Sequence, residues 1–304
     1  MNKLKQLHRW AAVVLAGSMG LLAAGSIMAQ NASQPWMNSS LSPEERAELV
    51  LKQMTLNEKI ALLHGNGMQH ASQWQMPLTH LSNGGAGYVE GIKRLGIPAL
   101  FLSDAAYGVR DSGANGRYST ALPSSLAAAS SWDTQGAGEY GALIGRELRA
   151  QGFNMSLGGG VNLTREPRNG RTFEYAGEDP LLAGTMVGNL MKCEQAQHVI
   201  GDIKHYALND QETGRNIVNV IISKRAMQES DLLAFHIGIQ IANPGAVMCS
   251  YNRIDGDYAC ENTYTLHNVL KKDWGVKGVV LSDWGVNHSP EKASEAGRDQ
   301  EQTR

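Results

Sequence analysis

Cysteine is scarce here, with three residues in 304. That is too few for a disulfide framework, and Cys193, Cys249 and Cys260 lack the close paired spacing of a metal site. Net charge is also nearly absent: 27 basic residues stand against 29 acidic ones, a formal charge of -2. Such a balance leaves no electrostatic footprint for a nucleic acid. No dinucleotide-binding glycine fingerprint follows the first strand-like run, and Gly158-Gly159-Gly160 lacks the Gly-Lys-Ser/Thr ending of a phosphate loop. These glycines are expected to form a tight turn after a strand. The apolar run 10–24 is shorter than the ~20 residues of a membrane span.

What is present points to a large folded unit. Hydrophobic residues make up 42% and charged residues 18%, which excludes a disordered chain. The length suits one or two domains, or one α/β barrel of about 250 residues, with a core that needs no staple. Lys3, Lys5 and Arg9 precede the apolar run, and Ile27-Met28-Ala29 follows it. This pattern predicts a signal peptide over residues 1–29, cleaved after Ala29, and a protein that is exported to the periplasm or secreted. The alternative is an uncleaved N-terminal anchor. Export would allow Cys249 and Cys260 to pair across a polar, turn-like stretch, leaving Cys193 over.

From residue 42 onward, strand and helix signals alternate. Ser42-Pro43-Glu44-Glu45 and Thr55-x-x-Glu58 are helix-opening capping boxes. Strands are expected at 97–103, 154–157, 199–204, 246–250 and 278–282. Helices are expected at 133–151, 180–197, 224–242 and 264–273. A βα repeat with short connections predicts a parallel sheet covered by helices, as a barrel or an open doubly wound sheet.

Polar residues collect where the strands end: Ser103-Asp104, Lys204-His205, Tyr251-Asn252-Arg253 and Asp283-Trp284. Each has a plain reading as a helix cap, a surface pair or a core tryptophan. Four such clusters at the carboxyl ends of parallel strands favour a ligand site. Charged side chains bind sugar hydroxyls, an indole offers an apolar face to a sugar ring, and a buried carboxylate can attack an anomeric carbon.

The runs LSDAAYGVR (102–110), NLTREPRNGRTFEYAGEDP (162–180), KHYALNDQET (204–213), VMCSYNRIDG (247–256), ACEN (259–262) and VVLSDWG (279–285) resemble glycoside hydrolase family 3, in its β-glucosidase branch. The resemblance extends from about residue 42 to 300 and implies an α/β fold of the (β/α)8 TIM-barrel type over 30–304. It implies Asp283 as catalytic nucleophile. Asp104, Arg171, Lys204 and His205 would bind the nonreducing glucosyl unit, with Tyr251 and Trp284 lining the same subsite. Arg110 and Glu178 would brace the surrounding loops. The implied activity is hydrolysis of terminal β-D-glucosyl residues with retention, on β-glucosides or cello-oligosaccharides. No metal or organic cofactor, no nucleic acid and no membrane span after signal removal are implied. Alternatives are a β-xylosidase or exo-glucanase of the family, or a non-catalytic sugar-binding remnant.

The resemblance also sets expectations about what is missing. Two-domain family members carry the acid/base Glu in a second α/β sandwich domain, which is expected to be absent, with the last barrel unit incomplete and an open strand edge. The family's single-domain β-N-acetylglucosaminidases use a His after the Lys-His motif. Here that loop, 206–212, holds no His, and Glu212 is its nearest carboxyl.

Overall fold

A computed structural model describes residues 34–68, 78–110 and 117–302. The expected signal peptide lies outside the described residues. Two compact units emerge along the chain, one from residues up to 59 with 92–97, the other from 60–91 with 98–304.

In the first unit Ser42 caps the helix Pro43–Leu51 with the expected capping box. Trp36 is buried and donates from Nε1 to the Leu95 carbonyl at 2.9 Å. Thr55 and Glu58 exchange the second pair of capping bonds, and Glu58 also takes two hydrogen bonds from Arg94.

The second unit is a (β/α) barrel. Its strands are β1 (Gly87–Val89), β2 (Leu100–Ser103), β3 (Met155–Gly160), β4 (Ile200–Tyr206), β6 (Ala246–Cys249) and β9 (Val279–Ser282), neighbouring in that order. The short strands β5 (Asn219–Val220), β7 (Arg253–Ile254) and β8 (Asp257–Tyr258) form a separate small sheet. From β2 to β9 every pairing in the main sheet is parallel. β1 runs antiparallel to β2, and its glycine-rich sequence had carried no strand signal.

Beyond β9 the ring is carried by two short segments. Gln300 bridges Leu281, Glu301 bridges His64, and Asn66 donates to the Tyr88 carbonyl of β1 at 2.7 Å. Single bridges thus take the place of a ladder in the last unit, and the edge of β9 expected to be open is occupied by residues 299–302.

Alternate strand positions separate two apolar layers. Leu102, Met155, Leu157, Met248 and Leu281 cluster in the lumen, while Ile203, Val247 and Val280 pack outward with Phe235 and Leu266. Outside, the helix Pro180–Gln195 lies between Thr134–Ala150 and Asp231–Ala242. The contact is close because a Cβ at Gly141 would run into the Leu190 carbonyl.

Four expectations are corrected. Gly158, Gly159 and Gly160 are buried inside β3 rather than in a turn. A Cβ at Gly159 would collide with the Asp202 carbonyl on β4, so tight strand packing demands glycine there. The helix expected at 224–242 breaks at Ser230 into Lys224–Glu229 and Asp231–Ala242. There Arg165 donates to both the Ser230 hydroxyl and the Asp231 carboxylate. The 264–273 helix forms with π geometry. Finally, Lys204 and His205 lie within β4, not at its end. Cys249 and Cys260 form a disulfide with Cα atoms 5.1 Å apart, and Cys193 is free.

Candidate active site

The carboxyl ends of β2, β3, β4, β6 and β9 surround a cavity of about 590 Å³. Asp104, Arg171, Lys204, His205, Tyr251, Asp283 and Trp284, the seven residues picked out from sequence, all line it. Consecutive residues of a regular strand face opposite ways, yet Lys204 and His205 both reach the cavity. The β4–β6 ladder shifts register between Ile203 and Tyr206, and such an irregularity re-aims side chains. Asn162 clamps the same point, donating to the His205 carbonyl at 3.0 Å and accepting from its amide at 2.7 Å.

Asp283 follows β9 directly and is nearly buried. Its Oδ1 accepts from the Tyr251 hydroxyl at 3.0 Å and from the Trp284 amide at 2.7 Å. Its Oδ2 accepts no hydrogen bond among the described residues and lies 3.5 Å from His205 Nε2. Burial pushes the carboxyl above its usual range, while Arg171 and then Lys204 pull the other way.

The other site residues form a linked charge array. Lys204 Nζ lies 3.7 Å from Asp104 Oδ1, and Arg110 lies 3.9 Å from Oδ2 of the same residue. Arg171 donates to Glu174 at 2.5 Å and sits 3.6 Å from Glu212. Its Nη2 also meets His205 Nε2 at 3.0 Å. A guanidinium only donates, so Nε2 must accept, and the ring proton is assigned to Nδ1, facing the Tyr175 hydroxyl at 3.0 Å. Burial, reinforced by Arg171, Lys204 and Arg215, holds the His205 pKa well below its usual value, so the ring is neutral. The contact with Asp283 is therefore no ion pair.

Two residues differ in emphasis from the sequence reading. The Tyr251 hydroxyl is engaged by Asp283 and by the Trp284 carbonyl at 2.6 Å, so it orients the carboxylate as well as lining the wall. Trp284 packs with the lumen cluster and presents only part of its surface to the cavity. Glu178 is exposed and does not line the cavity.

Sequence reasoning missed Glu174, Tyr175, Asn162 and Arg215. The first three lie inside the quoted 162–180 run, where Glu174 ends the Gly-Arg-x-x-Glu spacing around Arg171, but local pattern gives none of them a role of its own. Arg215 lies in a polar loop, where a single arginine reads as solvated. In the fold its guanidinium sits 3.8 Å from the centroid of the Tyr251 ring and pairs with Glu212 at 2.7 Å.

Comparison with known proteins identifies the family. The family model described as "Glycosyl hydrolase family 3 N terminal domain" matches residues 75–302. Thermostable beta-glucosidase B of Acetivibrio thermocellus is 34% identical over 260 residues, covering 83% of this chain and 32% of that protein. Beta-glucosidase B of Emericella nidulans is 37% identical over 255 residues, covering 84% of this chain and 28% of that protein. Beta-glucosidase 3B of Thermotoga neapolitana, solved in complex with alpha-D-glucose, superposes with a TM-score of 0.78 at 35% identity, covering 84% of this chain and 36% of that one. The chain thus spans about a third of the length of these relatives. With the barrel, the strand-end carboxylate and this match in hand, the chain belongs to glycosyl hydrolase family 3, in its N-terminal domain.

Proposed function

We propose that this barrel carries the nucleophile and sugar site of a retaining β-glucosidase acting on terminal, nonreducing β-D-glucosyl units. The observation that carries the reading is the state of Asp283. Two donors orient Oδ1, Oδ2 is left for attack, and Arg171 and Lys204 favour the ionised form. Sugar hydroxyls would be held by Asp104, Lys204 and Arg171 through charge-assisted hydrogen bonds, with His205 holding the Arg171 guanidinium in place.

In the first half-reaction Asp283 Oδ2 bonds to the anomeric carbon as the glycosidic C–O bond breaks, and the leaving oxygen takes a proton. In the second, water bonds to that carbon, the ester C–O bond breaks, and the water proton passes to a base. Neutral His205 adds no further positive charge beside the carboxylate and accepts from Arg171, fixing that guanidinium. The other carboxylates around the cavity are tied to cations: Asp104 to Lys204 and Arg110, Glu174 to Arg171, and Glu212 to Arg215 and Arg171. A proton donor from outside this barrel fits that arrangement. The glucose-bound relative supports a small carbohydrate as ligand.

The test is covalent labelling with a 2-fluoro glucoside bearing dinitrophenolate, a leaving group that needs little acid help. Glucosyl adduct on Asp283, found by peptide mass, is expected. Adduct on another carboxylate overturns the assignment. Glucose binding without any adduct would show a sugar-binding remnant instead.

Export is proposed alongside. The Cys249–Cys260 disulfide suits an oxidising compartment, and no helix among the described residues is long and apolar enough to cross a membrane. A mature N-terminus at Gln30 with both thiols blocked is expected. An N-terminus at Met1 with free thiols would count against export.

A further inference from the structure

The loop that follows β4 brings two side chains to the site. Arg215 lines the cavity, and Glu212 lies 3.6 Å from Arg171. Within the loop, Asn209 donates to Glu212 at 3.2 Å and Arg215 donates to it at 2.7 Å. Asp210, in the same loop, joins a second charged cluster with Arg165 and Asp231.

Arg165 Nε stands 3.3 Å from Asp210 Oδ2 and 3.3 Å from Asp231 Oδ1. One guanidinium thus faces two carboxyl groups, and little water reaches either: the Asp210 side chain is 13% exposed and that of Asp231 2%. Asp231 is furnished as an anion. Arg165 Nη2 donates to its Oδ2 at 2.6 Å, and the Ser230 hydroxyl lies 2.7 Å from the same oxygen. Asp231 also opens the helix Asp231–Ala242, where the helix dipole favours negative charge. Asp210 lacks such support, and its Oδ1 takes no hydrogen bond from a donor among the described residues. Two adjacent buried carboxyl groups that share one cation do not both ionise, so the pair keeps a proton. The donors place it on Asp210, whose carboxyl is pushed up to about 8 by burial and by the charge of Asp231, against the pull of Arg165. A protonated acid has an O–H to donate, and Asp231 is the acceptor beside it.

We propose that Asp210 is a positioning residue: as a neutral acid it donates to Asp231, and this contact holds the loop 209–215, with Glu212 and Arg215, against the cavity. Loss of the proton to solvent leaves two anions facing one guanidinium and loosens the latch. The consequence for sugar binding rests on the glucosidase reading above; the latch itself does not.

The test compares the full protein with Asp210→Asn, whose amide keeps a donor but does not ionise, and with Asp210→Ala, which keeps neither. Glucose affinity by calorimetry and hydrogen exchange of the 207–216 peptide are read at about pH 6.5 and about pH 9, on either side of the expected deprotonation. Exchange is corrected for its intrinsic pH dependence. About one molecule in ten keeps the proton at the higher pH, so the unmodified protein should lose about tenfold in glucose affinity there. Protection of the loop should fall with it. In Asp210→Asn the ratio of the two affinities should approach one and the protection should persist. Asp210→Ala should leave the loop poorly protected at both pH values. Each ratio compares one protein with itself, so a general loss of affinity does not mimic the effect. Equal loop protection at the two pH values in the unmodified protein overturns the latch, and so does a loss at high pH that survives in Asp210→Asn. Loop opening with no change in glucose affinity overturns the positioning role at the site. Absence of glucose binding at both pH values overturns the sugar-site reading, while exchange still decides the latch.

Discussion

Asp283 and Asp202 are both buried carboxylates of one barrel, and their surroundings differ in kind. Asp283 sits just past β9 with two donors on one oxygen and three cations, Arg171, Lys204 and Arg215, acting on it. Asp202 lies on β4, in register with Ala246 and so on the lumen face, with neither oxygen hydrogen-bonded among the described residues. Burial raises the pKa of both, and for Asp202 the opposing pull of Lys204 does not prevent a large rise. Burial alone makes a neutral carboxylic acid. Donors and cations turn a buried carboxyl into a poised anion. Glu194, fully buried with neither carboxyl oxygen hydrogen-bonded among the described residues, falls on the neutral side too, pushed up to about 8 by burial.

Neutralising each carboxyl in turn should separate the two most strongly. Asp283→Asn should slow labelling by the dinitrophenyl 2-fluoro glucoside by roughly 10⁴-fold or more, as expected for a lost nucleophile. Asp202→Asn should keep most of the rate, because it copies the protonated form. Equal losses in the two variants would erase the distinction.

Next in size is the cation that acts most on Asp283. Arg171→Met should weaken glucose binding by about 2 to 5 kcal/mol, since it strips a partner from buried charges. It should also move the acid limb of the labelling rate to higher pH, because losing a cation disfavours the carboxylate. An acid limb that stays put or moves to lower pH contradicts the electrostatic account.

Glu194 sharpens the other side. A carboxyl raised in the fold is protonated there while the unfolded chain has already ionised. Its favourable contribution is present below the usual carboxylate range and is lost as pH rises toward about 8. Glu194→Gln should therefore gain stability over the parent as pH rises from 5 to 8, by on the order of a few kcal/mol, and level off above. Thermal unfolding across that range checks it; a pH-independent difference would mean that Glu194 is ionised in the fold.

The smallest effect concerns Arg215, which lies over the Tyr251 ring and favours the charged form of Asp283. Arg215→Met should move the acid limb upward, by less than Arg171→Met does. Tyr251→Phe should move it the same way, by removing a donor to Oδ1. A change in glucose affinity with an unmoved limb would assign Arg215 to sugar contact instead.

Legible in the chain alone were the strand–helix alternation, the capping boxes at Ser42 and Thr55, and the gathering of Asp104, Lys204, His205, Tyr251 and Asp283 near strand ends. These follow from local periodicity, capping chemistry and short motifs, which act over a few residues. The rest depends on packing between distant segments. The antiparallel β1, the glycines buried in β3 and the ring closure through 63–66 and 299–302 depend on neighbours far away in the chain. So do the neutral His205, the guanidinium of Arg215 over Tyr251 and the fates of Asp202 and Asp283. A pKa or a cation–ring contact is set by what lies within a few ångströms in space, and local sequence pattern does not encode that distance.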